Sequence, residues 1–436
     1  MTKDWILPAA MTRRRVLGSL AAAGLPLVIP ARLLGADAPS KRVQLLMLGT
    51  GRQACLTNLP TLLGMPEVRV VAVCDVDRRR AEAAKALVDG HYGTQDCKVF
   101  GDFREALAMD GLDAVMNSTP DHWHVLTSLA AIAKGLHVSC EKPLSRYLAD
   151  GRVLADAARA KGVVFRTDTE CRSNSYMTKT ADLAINGYLG QLKRFVVGVP
   201  HEQPGQADPT PMAVPAHLDY ELWLGPAPYQ EYTRDRVHPE EIAGRPGWMR
   251  VLDYSEGMIS NWGAHLLDVV QLCHGSERSG PVAVEGTGRR PDSGLWNTLT
   301  DFDVHFRYGD GVTVDYKMDV PYLRVEGEEG WIQAHWNSAG GLKASDPKIL
   351  RTQFRASDHR VPTRGDKEDF IAAIRRGTPV MTDAEIGHRT CSMAQIAHIA
   401  IQRGQPLAWD PLAEKFANDP DSNRLLAGGC RAPWKI

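Results

Sequence analysis

The stretch Val43 to Ala54, VQLLMLGTGRQA, restricts the fold more than any other part of this chain. Val43 to Leu48 is apolar apart from Gln44, the pattern of a short strand buried on both faces. It leads directly into Gly49-Thr50-Gly51-Arg52-Gln53-Ala54, which has the form G-x-G-x-x-A. In such a turn the first glycine permits the tight reversal and the second lets backbone approach a pyrophosphate. The small third residue lets the following helix pack closely on the strand. The helix N-terminus then offers unpaired N–H groups and partial positive charge to phosphates. A second apolar run, Val68 to Cys74, ends at Asp75. That acid stands about 20 residues after the turn, where a carboxylate can accept hydrogen bonds from an adenosine ribose. Strand, glycine turn, helix, strand and acid in this order predict a dinucleotide site. Asp75 repels a 2′-phosphate, so NAD is the expected cofactor; Arg78, Arg79 and Arg80 keep NADP as the alternative.

The rest of the first third continues the pattern. Strands are expected at Asp113 to Ser118, Leu136 to Cys140 and Val163 to Arg166, with helices at Asp77 to Leu87, His124 to Lys134 and Ala149 to Lys161. Such alternation implies a parallel sheet covered on both faces. Pro60 should kink or end the first helix. After Thr167 the pattern changes. Strands are expected at Leu192 to Val199, Val282 to Thr287, Phe302 to Tyr308 and Val312 to Met318, the last two flanking a Gly309-Asp310-Gly311 hairpin signal. Gly257 to Cys273 reads as one apolar helix. The predicted class is α/β: a Rossmann dinucleotide-binding domain with a parallel sheet over residues 39–166, then an α+β domain with a mainly antiparallel sheet over 167–436. Within the second domain, residues 200–250 are rich in Pro, Gly and Trp without periodicity. A loop of that length is usually functional, and Trp223, His238 and Trp248 make it a candidate for selecting substrate.

Residues 1–38 are read as a targeting segment and set aside. Lys3 and Arg13-Arg14-Arg15 form a positive region, Val16 to Ile29 a mild apolar core, and Ala36 and Ala38 a small-residue cleavage region. Thr12 to Leu17 resembles a twin-arginine export signal, which predicts a periplasmic or secreted protein exported folded. The net charge of −1 gives no electrostatic reason to expect nucleic acid as a partner. No apolar run reaches the ~18 residues of a membrane span. The eight cysteines form no C-x-x-C pair, so neither a disulfide framework nor a metal site is expected.

Ligands of an open parallel sheet bind beyond the carboxyl ends of its strands. Two further strands end in chemically loaded turns there, Ser118-Thr119-Pro120-Asp121-His122-Trp123-His124 and Cys140-Glu141-Lys142-Pro143. A lysine at such a strand end loses solvation of its charged form, which suits proton exchange with a hydroxyl; equally, Lys142 could be salt-bridged to Glu141 or a phosphate. In the second domain Asn261, His265 and Asp268 share one helical face. His265 there is either a general acid–base or a satisfied core histidine.

Together these residues resemble the Gfo/Idh/MocA oxidoreductases, the glucose–fructose oxidoreductase and inositol dehydrogenase family. Gly49-Thr50-Gly51 with Asp75 matches its NAD fingerprint, Thr119 to His124 its T-P-x-x-x-H turn, and Glu141-Lys142-Pro143 its E-K-P signature. Asn261 to His265 sits where the family shows D-x-G-x-H. Glu170 to Ser173, Leu222 to Pro228 and Glu385 to Arg389 resemble a secreted bacterial branch. The resemblance implies that Lys142 helps deprotonate a substrate hydroxyl while His265 accepts the proton and hydride passes to the nicotinamide. Cofactor contacts are implied for Gly49, Thr50, Gly51, Arg52, Gln53 and Asp75, and for Ser118, Thr119, Pro120, His124, Glu141 and Lys142. Substrate contacts are implied for Lys142, Arg172, Asn261 and His265. Sugars, cyclitols or related polyols are the implied substrates, and an open antiparallel sheet that builds dimers or tetramers the implied assembly. The family usually carries aspartate at position 261, so either base strength is reduced here or Asp268 or another acid takes over. Export adds a constraint: NAD loaded before export must be held tightly and reoxidised in place. That leaves a sugar or polyol oxidoreductase, a redox-neutral NAD-dependent glycosidase, and a non-catalytic sugar-binding protein as the readings.

Overall fold

The computed structural model describes residues 42–202, 207–336 and 340–436; the expected targeting segment lies outside the described residues. Six strands form the first sheet: β1 (Val43–Leu48), β2 (Val68–Cys74), β3 (Lys98–Phe100), β4 (Ala114–Asn117), β5 (His137–Glu141) and β6 (Phe165–Asp168). Their order is β3-β2-β1-β4-β5-β6, and every pairing is parallel. The order reverses between β1 and β4, which opens a crevice at the carboxyl ends of those strands. Alternate residues of β1 explain why both of its faces are apolar. Leu46 and Leu48 face a core shared with Ala131 and Leu154. Val43, Leu45 and Met47 face another, shared with Leu59, Leu62 and Val88.

Pro60 neither ends nor sharply breaks the first helix. A π-helical turn, Ala54–Asn58, precedes it, and the Leu59 N–H reaches back to the Ala54 carbonyl. The widened turn places Pro60 in the first turn of the α-helical stretch Leu59–Leu63, where its missing N–H costs little. The same turn leaves Asn58 fully buried and pointing at the strand ends.

The second sheet has nine strands: β7 (Leu192–Val199), β8 (Ala283–Arg289), β9 (Asp301–Arg307), β10 (Thr313–Met318), β11 (Tyr322–Gly327), β12 (Gly330–His335), β13 (Leu342–Ala344), β14 (Leu407–Asp410) and β15 (Lys415–Phe416). The order is β13-β12-β11-β7-β10-β9-β8-β14-β15, antiparallel throughout except for β7 with β10. It is an open sheet. One face packs on the helices Ser175–Ile185, Gly263–His274 and Ala384–Arg403. β9 shows the alternation: Phe302, Val304 and Phe306 point inward, and Asp301, Asp303, His305 and Arg307 are exposed.

The apolar helix expected over 257–273 is interrupted. Met258–Asn261 forms a single turn, and the main helix starts at Gly263. The Tyr316 hydroxyl donates to the Ile259 carbonyl at 2.7 Å, occupying the acceptor that a continuous helix would give to Gly263.

The C-terminal half also returns to the first sheet. The helix Asp366–Arg376 contributes Phe370 and Ile371 to the core beside β1. β6, which runs two residues past the expected domain edge at 166, buries Arg166 and Asp168 completely. Arg166 pairs with Asp168 at 2.5 Å and Asp369 at 3.0 Å, and the Lys367 ammonium sits between Asp168 and Asp366.

Candidate functional site

Gly49 has a left-handed φ of +77°, and a Cβ there would stand 2.6 Å from the Ser118 carbonyl oxygen. Only glycine lets β1 and β4 end this close together. At Gly51 the situation is reversed: a Cβ would meet no atom within 4 Å. The space above it belongs to a cavity of about 260 Å³ whose lining includes Gly49, Gly51, Arg52, Gln53 and Asp75. An open space over a helix N-terminus, walled by a glycine turn and an acid, fits the pyrophosphate and adenosine ribose of a dinucleotide. Thr50 is fully buried and serves differently. Its N–H and hydroxyl donate to one Asp75 oxygen at 2.7 and 3.0 Å, while the Asp77 N–H donates to the other at 2.8 Å. The Asp75 carboxylate is thereby fixed in place, with lone pairs left for a ribose.

The cavity continues along the ends of β4 and β5, where Ser118, Thr119, Pro120, His124, Glu141 and Lys142 line it. His124 braces the two turns: its Nδ1 meets the Pro143 carbonyl at 2.7 Å and its Nε2 the Thr119 carbonyl at 2.8 Å. Burial pushes its imidazole down to about 4. Asn58 from the π-helical turn ties the same strand ends together, donating to Ser118 Oγ and to Glu141 Oε1, both at 2.9 Å. Glu141 is buried, and that burial, against the pull of the Lys367 charge, pushes its carboxyl up to about 7. Asp121 is likewise pushed up to about 7 by burial.

Lys142 is half-buried, and its ammonium donates to the Asn261 carbonyl at 3.1 Å. Among the described residues it makes no ion pair with Glu141. Asn261 lines the cavity from the second domain, and His265 follows one helical turn later. Burial first, and the Lys142 ammonium second, hold the His265 imidazole well below the ordinary histidine range. Its Nδ1 lies 3.3 Å from the Thr169 hydroxyl, and Trp262 and Trp336 flank the ring. Lys142 and Asn261 therefore meet from the two halves of the chain, and His265 lies buried close enough to feel the Lys142 charge but is not among the residues that line the cavity.

Two expectations change. Arg172 does not face this site. It is buried, with Nε and Nη2 on the two Asp268 oxygens at 2.7 Å each and Nη1 on Glu277 at 2.6 Å and the Met381 carbonyl at 2.9 Å. A guanidinium with its donors so committed is a structural clamp, not a substrate ligand. For the same reason Asp268 is not the acid that orients His265; it is held by Arg172, with Thr390 at 3.4 Å.

Trp223, His238 and Trp248 of the long loop line the same cavity as Asp75 and Arg80, together with Leu222, Pro246 and Met249, with His238 at Asp77 and Trp223 at His122 and Trp123. Nothing in the loop's composition told which end of the crevice it would cover. Asn58 was hidden as well, because only the π-helical turn rotates it toward the strand ends.

Residues 43–169 match a family model described as "Oxidoreductase family, NAD-binding Rossmann fold", and residues 200–436 match one described as "Oxidoreductase family, C-terminal alpha/beta domain". The chain is 25% identical to D-xylose 1-dehydrogenase (NADP(+)) of Hypocrea jecorina over 323 residues, 70% of this chain and 73% of that one. It is 27% identical to a glycosyl hydrolase family 109 protein of Stenotrophomonas maltophilia over 203 residues, 45% of this chain and 44% of that one. Several other curated relatives it matches are spanned for less than half of their length. Among solved structures, the WlbA dehydrogenase of Bordetella pertussis, in complex with NADH and UDP-GlcNAcA, shares the fold with a TM-score of 0.62. Its identity is 15%, over 84% of this chain and 98% of that one.

Proposed function

Because the chain belongs to the Gfo/Idh/MocA oxidoreductase family, we propose that it moves hydride between a hydroxyl-bearing carbon of a sugar, cyclitol or related polyol and a tightly held NAD. One observation carries the reading: a single cavity runs from Gly51 and Asp75 to Lys142 and Asn261. The nicotinamide, when bound, supplies the hydride chemistry. The side chains supply position and proton handling. Lys142, steadied by the Asn261 carbonyl, sets its ammonium against the substrate hydroxyl and favours loss of the hydroxyl proton. His265, kept neutral by burial and by that same ammonium, is poised to take the proton. The Thr169 hydroxyl at Nδ1 orients the ring in the role an acid plays elsewhere in the family.

The test is the absorbance spectrum of protein purified without added nucleotide, followed by addition of sugars and polyols. A ~340 nm band that appears or bleaches with substrate is the expected result, as for reduced nicotinamide. Protein that neither carries nor binds nucleotide refutes the proposal. A second reading, the redox-neutral glycosidase, is supported by the likeness to the family 109 hydrolase; release of an aglycone with no net change at ~340 nm would select it. Binding of sugar with neither product would select the non-catalytic reading. Arg13-Arg14-Arg15 supports the proposal of export to the periplasm or beyond, which a reporter fused behind residues 1–38 and compared with its Arg13→Lys/Arg14→Lys form would test. The open second sheet supports a homo-oligomer, which sedimentation would test.

A further inference from the structure

Residues 207–250 fold into a small unit around an apolar core of Leu218, Tyr220, Trp223, Leu224, Tyr232 and Val237, completed by Val251, Tyr254 and Leu295 from the following chain. It is a packed element and not a slack loop. Its inner surface is the wall of the dinucleotide cavity opposite Gly51 and Asp75.

Its rim is fastened to the first domain at three strand ends. At the end of β2 an antiparallel bridge joins Asp77 to Leu218. There the Arg78 N–H donates to the His217 carbonyl and the Asp219 N–H to the Val76 carbonyl, both at 2.9 Å. His238 meets Asp77 at 3.0 Å, and Arg80 donates to the Pro239 carbonyl at 2.6 Å. At the glycine turn Arg52 donates to the Ala243 carbonyl at 3.0 Å. Beyond β4, His122 and Trp123 both meet the Trp223 carbonyl, at 3.1 and 3.0 Å.

The C-terminal tail then holds this unit from outside. The Arg431 backbone N–H donates to the Pro226 carbonyl at 2.9 Å. Its guanidinium reaches the Gly225 carbonyl at 3.2 Å and Glu221 at 2.6 Å. Trp434 stands edge-on to Trp123, with ring centroids 4.9 Å apart, and Arg104 lies over its ring.

We infer that residues 207–250, latched by the tail, form a cover that makes the dinucleotide a captive cofactor. Nucleotide enters and leaves only when this cover lifts from the end of β2. The inference rests on the NAD reading above and deepens it. A cover of this kind governs exchange more than affinity, because lifting it is needed in both directions. A captive nucleotide that cannot be swapped at each turnover has to be returned to its starting redox state within the site. The expected reaction is therefore paired or redox-neutral and not an open-ended consumption of free NAD.

The test follows NADH fluorescence in the full-length protein during mixing and during displacement by excess NAD. Arg431→Ala, and a chain ending at Gly429, alter the latch without replacing a residue that lines the cavity; the first also keeps Trp434 against Trp123. Both association and dissociation should accelerate together, by roughly tenfold or more, with the dissociation constant nearly unchanged. Faster dissociation alone would mean that the tail stabilises a contact, and no change in either rate would mean that it latches nothing; either overturns the inference. A second variant, Asp77→Cys with Leu218→Cys, uses the bridge itself. Its two flanking hydrogen bonds make it the close type of antiparallel pair, with Cα atoms about 4.5 Å apart, within disulfide reach. Oxidised, this protein should stop exchanging nucleotide; reduced, it should resume. Equal exchange in the two forms overturns the inference while leaving the NAD reading intact. Failure of the wild-type chain to bind NADH at all removes both.

Discussion

Gly49 and Gly51 make opposite demands, and alanine substitutions separate them. At Gly51 the backbone is not left-handed and a Cβ meets nothing within 4 Å. Gly51→Ala should therefore fold normally, and loss of unfolded-chain entropy should stabilise it by about 0.4–1 kcal/mol. The methyl group would nevertheless occupy the approach to the pyrophosphate. Loss of one charge-assisted hydrogen bond from the turn is worth about 1.5–3 kcal/mol, which corresponds to a rise in Kd of roughly 10- to 150-fold. Gly49→Ala should behave the other way. It places a side chain at φ +77° and a Cβ 2.6 Å from the Ser118 carbonyl oxygen. The left-handed conformation alone costs about 1–2 kcal/mol, and relief of the clash must separate β1 from β4. Thermal melting reads stability, and fluorescence titration with NADH reads affinity. Gly51→Ala should show a slightly raised Tm and lose affinity, whereas Gly49→Ala should lose Tm first. A Gly51→Ala protein that binds NADH as tightly as wild type would refute the placement of the pyrophosphate at this turn.

Lys142→Ala and His265→Ala should each slow hydride transfer by about 10²- to 10⁴-fold while nucleotide stays bound, as single-turnover absorbance and nucleotide content would show. Asn261→Asp places a carboxylate near an imidazole that burial and Lys142 hold low; the acidic limb of the rate–pH profile should move up by about one pH unit. Glu141 has its carboxyl raised from 4.5 to about 7, so its contribution to stability is complete below pH 4.5 and is lost as pH rises toward 7. Glu141→Gln should flatten the decline of Tm across that window; an unchanged slope would assign the decline to another group, with Asp121 next in line. Arg172→Ala should cost about 3–5 kcal/mol of stability by leaving Asp268 buried and unpaired, and a loss confined to substrate KM would restore Arg172 to the substrate site.

The parallel sheet, its strand ends and the glycine turn were legible because each rests on local chemistry. Apolar runs of strand length, a G-x-G-x-x-A turn and an acid at the next strand end leave few folds open. Lys142 and Asn261 could be paired from sequence only through the family resemblance, since 119 positions separate them. Arg172 misled because a motif position does not show what stands opposite; Asp268 and Glu277 supply the two charges that claim it. The cover was visible as a stretch without periodicity, but its seat on β2 depends on Asp77, His217 and His238, polar residues that carry no pattern before they meet. Strands β11 and β12 went unassigned because each is short and buries only two apolar residues, Leu323 with Val325 and Ile332 with Ala334, while Arg324, Glu326 and Gln333 take the other face.

The knot of charge at β6 bears on how the protein is made. A ribosome has delivered all six strands of the first sheet once Asp168 emerges, yet the ammonium that neutralises it lies 199 residues further on, at Lys367. Asp369, the second partner of Arg166, follows 203 residues after it. Until those residues arrive, Arg166 and Asp168 have only each other, and the last strand would have to bury that pair with its remaining partners missing, so the sheet closes late in synthesis. A shortened chain ending near β7 would carry the glycine turn and Asp75 but would be expected to aggregate. The segment that reads as a self-sufficient nucleotide-binding module is finished only by the far end of the same polypeptide.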